Sequence, residues 1–138
     1  MKSPIHSHSN LPKPTEVELE ILTSLWSKGE ATVRELHEDV SQRRALGYTS
    51  VLKTLQIMTE KGLVQRTEAG KAHIYRATSS QEDTQSQFLR DLTERLFSGS
   101  AAQLAMHALS MQPASSSELQ EIRQLIERKR VQKDHKEK

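Results

Sequence analysis

Thr49, Ser50, Lys53, Thr54 and Gln56 crowd into one short span of the chain. At about 100° per helical residue, Thr49, Lys53, Gln56, Ile57 and Glu60 share one side of a helix. Ser50 and Thr54 flank it, and Val51, Leu55 and Met58 take the opposite side. Hydroxyls, a carboxamide and an ammonium in this pattern exchange hydrogen bonds rather than break covalent ones. A helix that presents them can meet base edges and phosphates in a major groove. Thr49, Ser50 and Lys53 are the expected groove contacts. Gln56, able to bond adenine through two hydrogen bonds, is a deeper or flanking reader. Thr54 contacts a phosphate or supports the turn. Arg43 and Arg44 before this span, with Arg66, Lys71 and His73 after it, suit phosphate or minor-groove contact, which positions a protein and carries little sequence information.

Other chemistry finds little material. The six histidines, at 6, 8, 37, 73, 107 and 135, are scattered. His6-x-His8 offers two imidazoles alone, a weak metal site. Cysteine is absent, so no thiolate centre or disulfide is possible, which fits a reducing cytoplasm. No Ser/His/Asp arrangement has supporting context, and no glycine-rich phosphate loop occurs. No enzyme activity, metal site or cofactor is expected. No apolar run reaches the ~20 residues that span a membrane, so no membrane insertion is expected, and the first segment lacks the apolar stretch of a signal peptide.

The elements that must position these side chains can be read from caps and periodicity. Thr15-x-x-Glu18 has the form of a capping box. Leu19, Ile21, Leu22, Leu25 and Trp26 follow at helical spacing, and Gly29 stops a first helix over 15–28. Thr32-x-x-Glu35 opens a short second helix with Val33, Leu36 and Val40 apolar, and 41–47 reads as a loop. Thr49 can cap a third helix that ends at Gly62. Leu63 to Thr67 and Ala72 to Ala77 are extended runs around Gly70, a β-hairpin. Three short helices followed by a hairpin make a winged helix-turn-helix.

Beyond Ser79-Ser80 the period is helical again. One helix covers 81–97 with Phe88, Leu89, Leu92, Leu96 and Phe97 on a face, and a second covers 101–109 with Leu104 and Leu109. A third runs from Glu118 to Val131 with Leu119, Ile122, Leu125 and Ile126. The organisation is thus a disordered arm (1–14), a winged-helix domain (15–79), a helical region (80–131) and a solvated tail (132–138). The fold class is mainly α with a small β-hairpin. With 138 residues, 34% apolar and 4% aromatic, large catalytic architectures are excluded, and the last three helices carry too few apolar residues to stand alone. They are expected to pack against the same helices of a second chain.

Charge is segregated. Residues 15–41 carry Glu16, Glu18, Glu20, Glu30, Glu35, Glu38 and Asp39 against Lys28 and Arg34, a net of −5. Residues 42–77 carry Arg43, Arg44, Lys53, Lys61, Arg66, Lys71 and Arg76 against Glu60 and Glu68, a net of +5. The basic excess lies on the third helix, the loop before it and the wing, where counterion release on a duplex would supply affinity.

These residues carry a resemblance. PTEVELEILTSLWSKGEATVRELHEDV and GYTSVLKTLQIMTEKGLVQRTEAGKAHIYRA are similar to the penicillinase repressor (BlaI/MecI) family of bacterial winged-helix regulators, and the resemblance extends more weakly to SSSELQEIRQLIERKR. It implies a homodimer on a palindromic operator, with 48–61 as recognition helix, 82–130 as dimerisation region, and repression as the outcome. A sensor or protease that relieves repression is an implied partner. The β-lactam-responsive members are cleaved at an Asn-Phe pair, where this chain has His107 and Ala108. The cysteine-rich metal motif of the copper-responsive branch has no counterpart. The alternative function is a winged helix used as a protein-interaction or architectural module, without sequence-specific readout of DNA.

Overall fold

Both capping boxes form as their spacing dictates in the computed structural model, which describes residues 11–137. The Thr15 hydroxyl accepts from the Glu18 amide at 3.3 Å, and the Glu18 carboxylate accepts from the Thr15 amide at 2.9 Å. This exchange starts α1 (Glu16–Lys28). Thr32 and Glu35 repeat it at 3.2 and 2.9 Å, starting α2 (Val33–Val40). The third helix, α3 (Tyr48–Lys61), departs from expectation at its first residue. Gly47 is its N-cap and no side chain caps it, so Thr49 lies in the first turn with an exposed side chain. The physical reason lies in the preceding loop. His37 Nε2 sits 3.0 Å from the Leu46 carbonyl oxygen, and its ring meets that of Tyr48 edge-on at 5.8 Å. Tyr48 is thereby seated at the helix entrance, and Thr49 keeps its hydroxyl for other partners.

The hairpin pairs β1 (Val64–Ala69) with β2 (Ala72–Ala77) in antiparallel register, Arg66 opposite Tyr75 and Glu68 opposite His73. Gly70 and Lys71 form the two-residue turn. The positive φ of Gly70 (67°) and its place as first central residue match a type II′ turn. Ala31, between α1 and α2, adds a bridge to Tyr75 through amide–carbonyl bonds of 2.8 and 3.0 Å, fixing the hairpin to the helices. Ile21, Leu22 and Leu25 of α1 meet Leu36 and Val40 of α2, Val51, Leu55 and Met58 of α3, and Leu63, Val64 and Tyr75 in one buried cluster. Trp26 packs half-buried against it, its indole N–H donating to the Ser79 carbonyl at 2.9 Å. The arrangement is a winged helix-turn-helix.

This first unit extends to Asp91, past the boundary expected near residue 80. It takes in the start of α4 (Gln81–Leu96), where Thr84 is buried and Phe88 half-buried. Residues 11–14, expected to belong to a disordered arm, are laid against it instead. Leu11 packs on the core, its Cδ2 lying 3.3 Å from where a Cβ on Gly62 would stand. Its carbonyl accepts from the Gln87 amide at 2.8 Å. Lys13 pairs with Asp91 at 2.7 Å while its ammonium sits 5.3 Å from the Phe88 ring centroid, and Pro14 is buried. The rest of the expected arm, with His6 and His8, lies outside the described residues.

The second unit, from Leu92, holds the end of α4, α5 (Ala101–Met111) and α6 (Ser116–Glu137). Ser115 and Glu118 form another capping box, at 3.0 and 2.9 Å, so α6 begins at Ser116 rather than Glu118. It runs on to Glu137 through the segment expected to be a tail. Phe97 meets His107 edge-on at 5.9 Å. No residue described between 92 and 135 is buried. Among the described residues, no helix is long and apolar enough to cross a membrane.

One buried charge links the caps to α3. The Glu18 carboxylate, 3% exposed, bonds Lys61 Nζ at 2.8 Å as well as the Thr15 amide. Burial pushes its carboxyl up, but the hydrogen bonds from Lys61 and Thr15 outweigh that and hold it below the ordinary value. A carboxyl depressed in the folded state stabilises above its unfolded range and loses that contribution as pH falls through its folded value. Glu18→Gln keeps a residue able to complete the box and deletes the charge. We expect urea midpoints at neutral pH to report a loss of about 1–3 kcal/mol, with the two proteins converging only once the pH has fallen beneath the ordinary carboxylate range, because the folded carboxyl lies below it. Parallel acid limbs in the two proteins would remove Glu18 from the cause.

Candidate nucleic-acid interface

The outward side of α3 is set by its inward one. Val51, Leu55 and Met58 are fully buried, which turns Thr49, Ser50, Lys53, Gln56, Ile57 and Glu60 to solvent. Thr54 is half-buried at the edge of this face. Hydroxyls, an ammonium and a carboxamide therefore stand on the exposed surface of one helix, seated on a core that fixes its rotation. The wing adds Arg66 and Lys71, both exposed. His73 is half-buried, its Nε2 4.0 Å from a Glu68 carboxylate oxygen directly across the hairpin.

Ion pairing divides the seven bases of 42–77 into two groups. Arg43 is held from three directions: Nε by Glu20 at 3.1 Å, Nη1 by Asp39 at 3.3 Å, and Nη2 by the Ser24 hydroxyl at 3.0 Å. Arg44 reaches Glu16 at 2.8 Å and Glu20 at 3.8 Å. Lys61 pairs with Glu18 and Arg76 with Glu30 at 2.7 Å. Lys53, Arg66 and Lys71 make no ion pair among the described residues. The net of +5 thus overstates what a polyanion would meet: four of the bases neutralise the acids of α1, α2 and the turn between them. Asp39 shows the strength of the Arg43 junction. A hydrogen bond from the Ser24 hydroxyl, followed by the Arg43 charge, holds its carboxyl below the ordinary value against the opposing effect of burial.

Sequence reasoning placed Arg43 and Arg44 among phosphate contacts and did not single out Glu16, Glu20, Ser24 and Asp39, which tie down the loop ahead of α3. The signal was present in the opposite charges of 15–41 and 42–77. Among the apolar residues expected to meet a second chain, Phe88 is half-buried in the first unit with Lys13 above it, and Leu89 lines an apolar groove with Leu19, Trp26 and Thr84. In the second unit, Leu92, Leu96, Leu109, Leu119 and Ile126 are exposed, and Phe97, Leu104 and Ile122 half-buried. No group of three His, Asp or Glu side chains able to hold a metal ion occurs among the described residues.

Comparison with known proteins adds the lineage. A Mycobacterium tuberculosis protein described as transcriptional regulator BlaI is 38% identical over 68 residues, 49% of this chain and 49% of that one. The chain thus spans about half the length of the curated relatives it matches. Distant likenesses include a solution structure of the DNA-binding domain of the repressor BlaI, at 18% identity and TM-score 0.49 over 54% of this chain and 90% of that one. YusO from Bacillus subtilis is 20% identical, with TM-score 0.47 over 83% of this chain and 72% of that one. The penicillinase repressor profile matches residues 14–128, a span that takes in the winged helix, all of α4 and α5 and much of α6, and on that match the chain belongs to the penicillinase repressor family.

Proposed function

We propose that this chain is a homodimeric repressor of transcription that binds a pseudo-palindromic operator, α3 in the major groove and the wing on the flanking backbone. The observation that carries the reading is the division of the basic residues: four are consumed inside the fold, while Lys53, Arg66 and Lys71 make no ion pair among the described residues of α3 and the wing. Thr49, Ser50 and Gln56 supply base contacts beside Lys53, and Thr54 supports them from the edge. Arg43 and Arg44 act by fixing the loop that sets the start of α3, and His73, beside Lys71 on the wing, meets the flanking backbone. The exposed apolar residues of the second unit pair with those of a second copy, which places two recognition helices on half-sites related by helical turns. Repression follows from occluding a promoter, in the cytoplasm. Relief by a sensor or protease belongs to the same reading; His107 and Ala108 lie inside α5, whose backbone must open before cleavage there.

Selection of genomic fragments with the purified chain at ~150 mM salt, near physiological ionic strength, tests this directly. A symmetric motif near promoters is expected. On that motif, Arg66→Ala and Lys71→Ala weaken binding to all sequences and reduce the salt slope by about 1 each, whereas Thr49→Ala and Gln56→Ala relax preference at single positions. Lys53→Ala weakens operator binding and would leave a protein partner untouched. Binding without a motif, or base preference altered by the wing variants alone, would reverse these assignments.

A further inference from the structure

The exposed face of α3 changes character along its length. Its first turns carry Thr49, Ser50 and Lys53, two hydroxyls and a cation suited to phosphate or base. Its later part carries Gln56, Ile57 and Glu60, which contains no cation. A phosphate finds there only the Gln56 amide as a donor, and Glu60 repels it. An amide, an aliphatic group and a carboxylate together suit a base edge better than a phosphate.

Ile57 is the unusual member. It is 39% exposed, and with Tyr48 it completes the exposed large hydrophobic residues of α3. Tyr48 has the His37 ring against it, and Leu52, also partly exposed, packs on the buried cluster. Ile57 is neither buried in that cluster nor among the residues packed against it. A single exposed aliphatic residue is ordinary on a protein surface, but here it interrupts a polar face that is otherwise built for hydrogen bonding. Branching at Cβ also restricts it to one main χ1 rotamer in a helix, so its methyl groups are held in place before any partner arrives.

The major groove offers one apolar feature among its base edges, the C5 methyl of thymine, and the adenine paired with it presents N6–H and N7. The side chains of Gln56 and Ile57 match those two features from adjacent positions of one helix. We infer that Gln56 and Ile57 jointly specify A·T pairs in each half-site, Gln56 through the adenine edge and Ile57 by packing on a thymine methyl. This deepens the operator-binding reading and rests on it.

Replacing thymine by deoxyuridine removes only the methyl group, which gives a clean probe. With the operator obtained by selection, each thymine of one half-site is exchanged in turn and binding to the full chain is measured. Loss of one buried methyl is expected to weaken binding about fourfold at one or two positions. In Ile57→Ala, thymine and uracil operators should bind alike at those same positions, while Lys53→Ala should keep the thymine preference at lower affinity. Equal binding of thymine and uracil operators by the parent protein overturns the inference and leaves the repressor reading intact. A methyl effect that persists unchanged in Ile57→Ala overturns it too. A selection that returns no motif overturns both.

Discussion

Cutting the chain after Asp91 should lower operator affinity by about 100-fold or more while leaving the winged helix folded. The buried cluster lies within the first unit, between Ile21 and Tyr75, as do Thr84 and the contacts of residues 11–14 with α4, so the cut removes no core residue. What it removes is a region in which Leu96 is 70% exposed, Met111 65% and Val131 60%, with no buried residue described up to position 135. Such a surface gains stability by covering itself with a copy. Once two winged helices are linked, the second binds at an effective concentration set by the linkage, commonly a gain of about 10²–10⁴ over one module. Sedimentation should show the parent chain as a dimer and residues 1–91 as a monomer, and anisotropy titrations should show the loss. Equal affinities would assign the apolar surface of α4, α5 and α6 to some other partner.

Tyr75→Ala should cost about 3–5 kcal/mol, the range for deleting a buried aromatic ring. Against a total of about 5–15 kcal/mol for a typical domain, this is enough to leave part of the population unfolded on warming. Tyr75 is 1% exposed and heads the largest fully buried side chains. Its backbone carries the bridge to Ala31, and Arg66 lies opposite it on β1. Directly opposed residues share a face of the hairpin, so the buried ring seats the strand pair on the core beside the exposed Arg66 side chain. Urea denaturation measures the stability loss, and Ile74→Ala, half-buried on the opposite strand face, provides a milder control. At temperatures where the variant stays folded, its operator affinity should fall as Arg66→Ala does, because a displaced wing no longer presents its cations. A loss in stability under about 1 kcal/mol would show that the bridge alone seats the hairpin.

Much of this was legible in the chain because it is local. A capping box needs residues three apart, a buried helix face needs residues three and four apart, and a hairpin needs one glycine between alternating strands. The two N-terminal boxes, the core faces of α1, α2 and α3 and the Gly70 turn follow from such short-range rules. What escaped was long-range. Asp39 stands four residues before Arg43, within reach of a spacing rule. The other acidic partners of Arg43 and Arg44, Glu20 and Glu16, lie 23 and 28 residues away, and no spacing rule connects those. The division of α4 at Asp91 escaped because its apolar stripe continues unbroken from Phe88 to Leu96, although different surroundings meet its two ends. Residues 11–14 looked unstructured because proline and lysine form no periodic pattern, yet a single leucine found a slot beside Gly62. The last turns of α6 escaped for another reason: a polar, charged sequence can remain helical with no buried face, and nothing in its apolar pattern marks how far it goes.

The contacts of residues 11–14 with α4 have a kinetic side. Leu11 and Gln87 are separated by 76 residues and Lys13 and Asp91 by 78, nearly the whole length of the first unit. Closing a loop of that size is entropically costlier than closing any helix or hairpin within it, and contacts so distant along the chain slow folding when they must form early. On that ground the contacts of residues 11–14 with α4 are expected to form after the core rather than before it. Hydrogen exchange should therefore find the contacts of residues 11–14 with α4 among the first of the first unit to open.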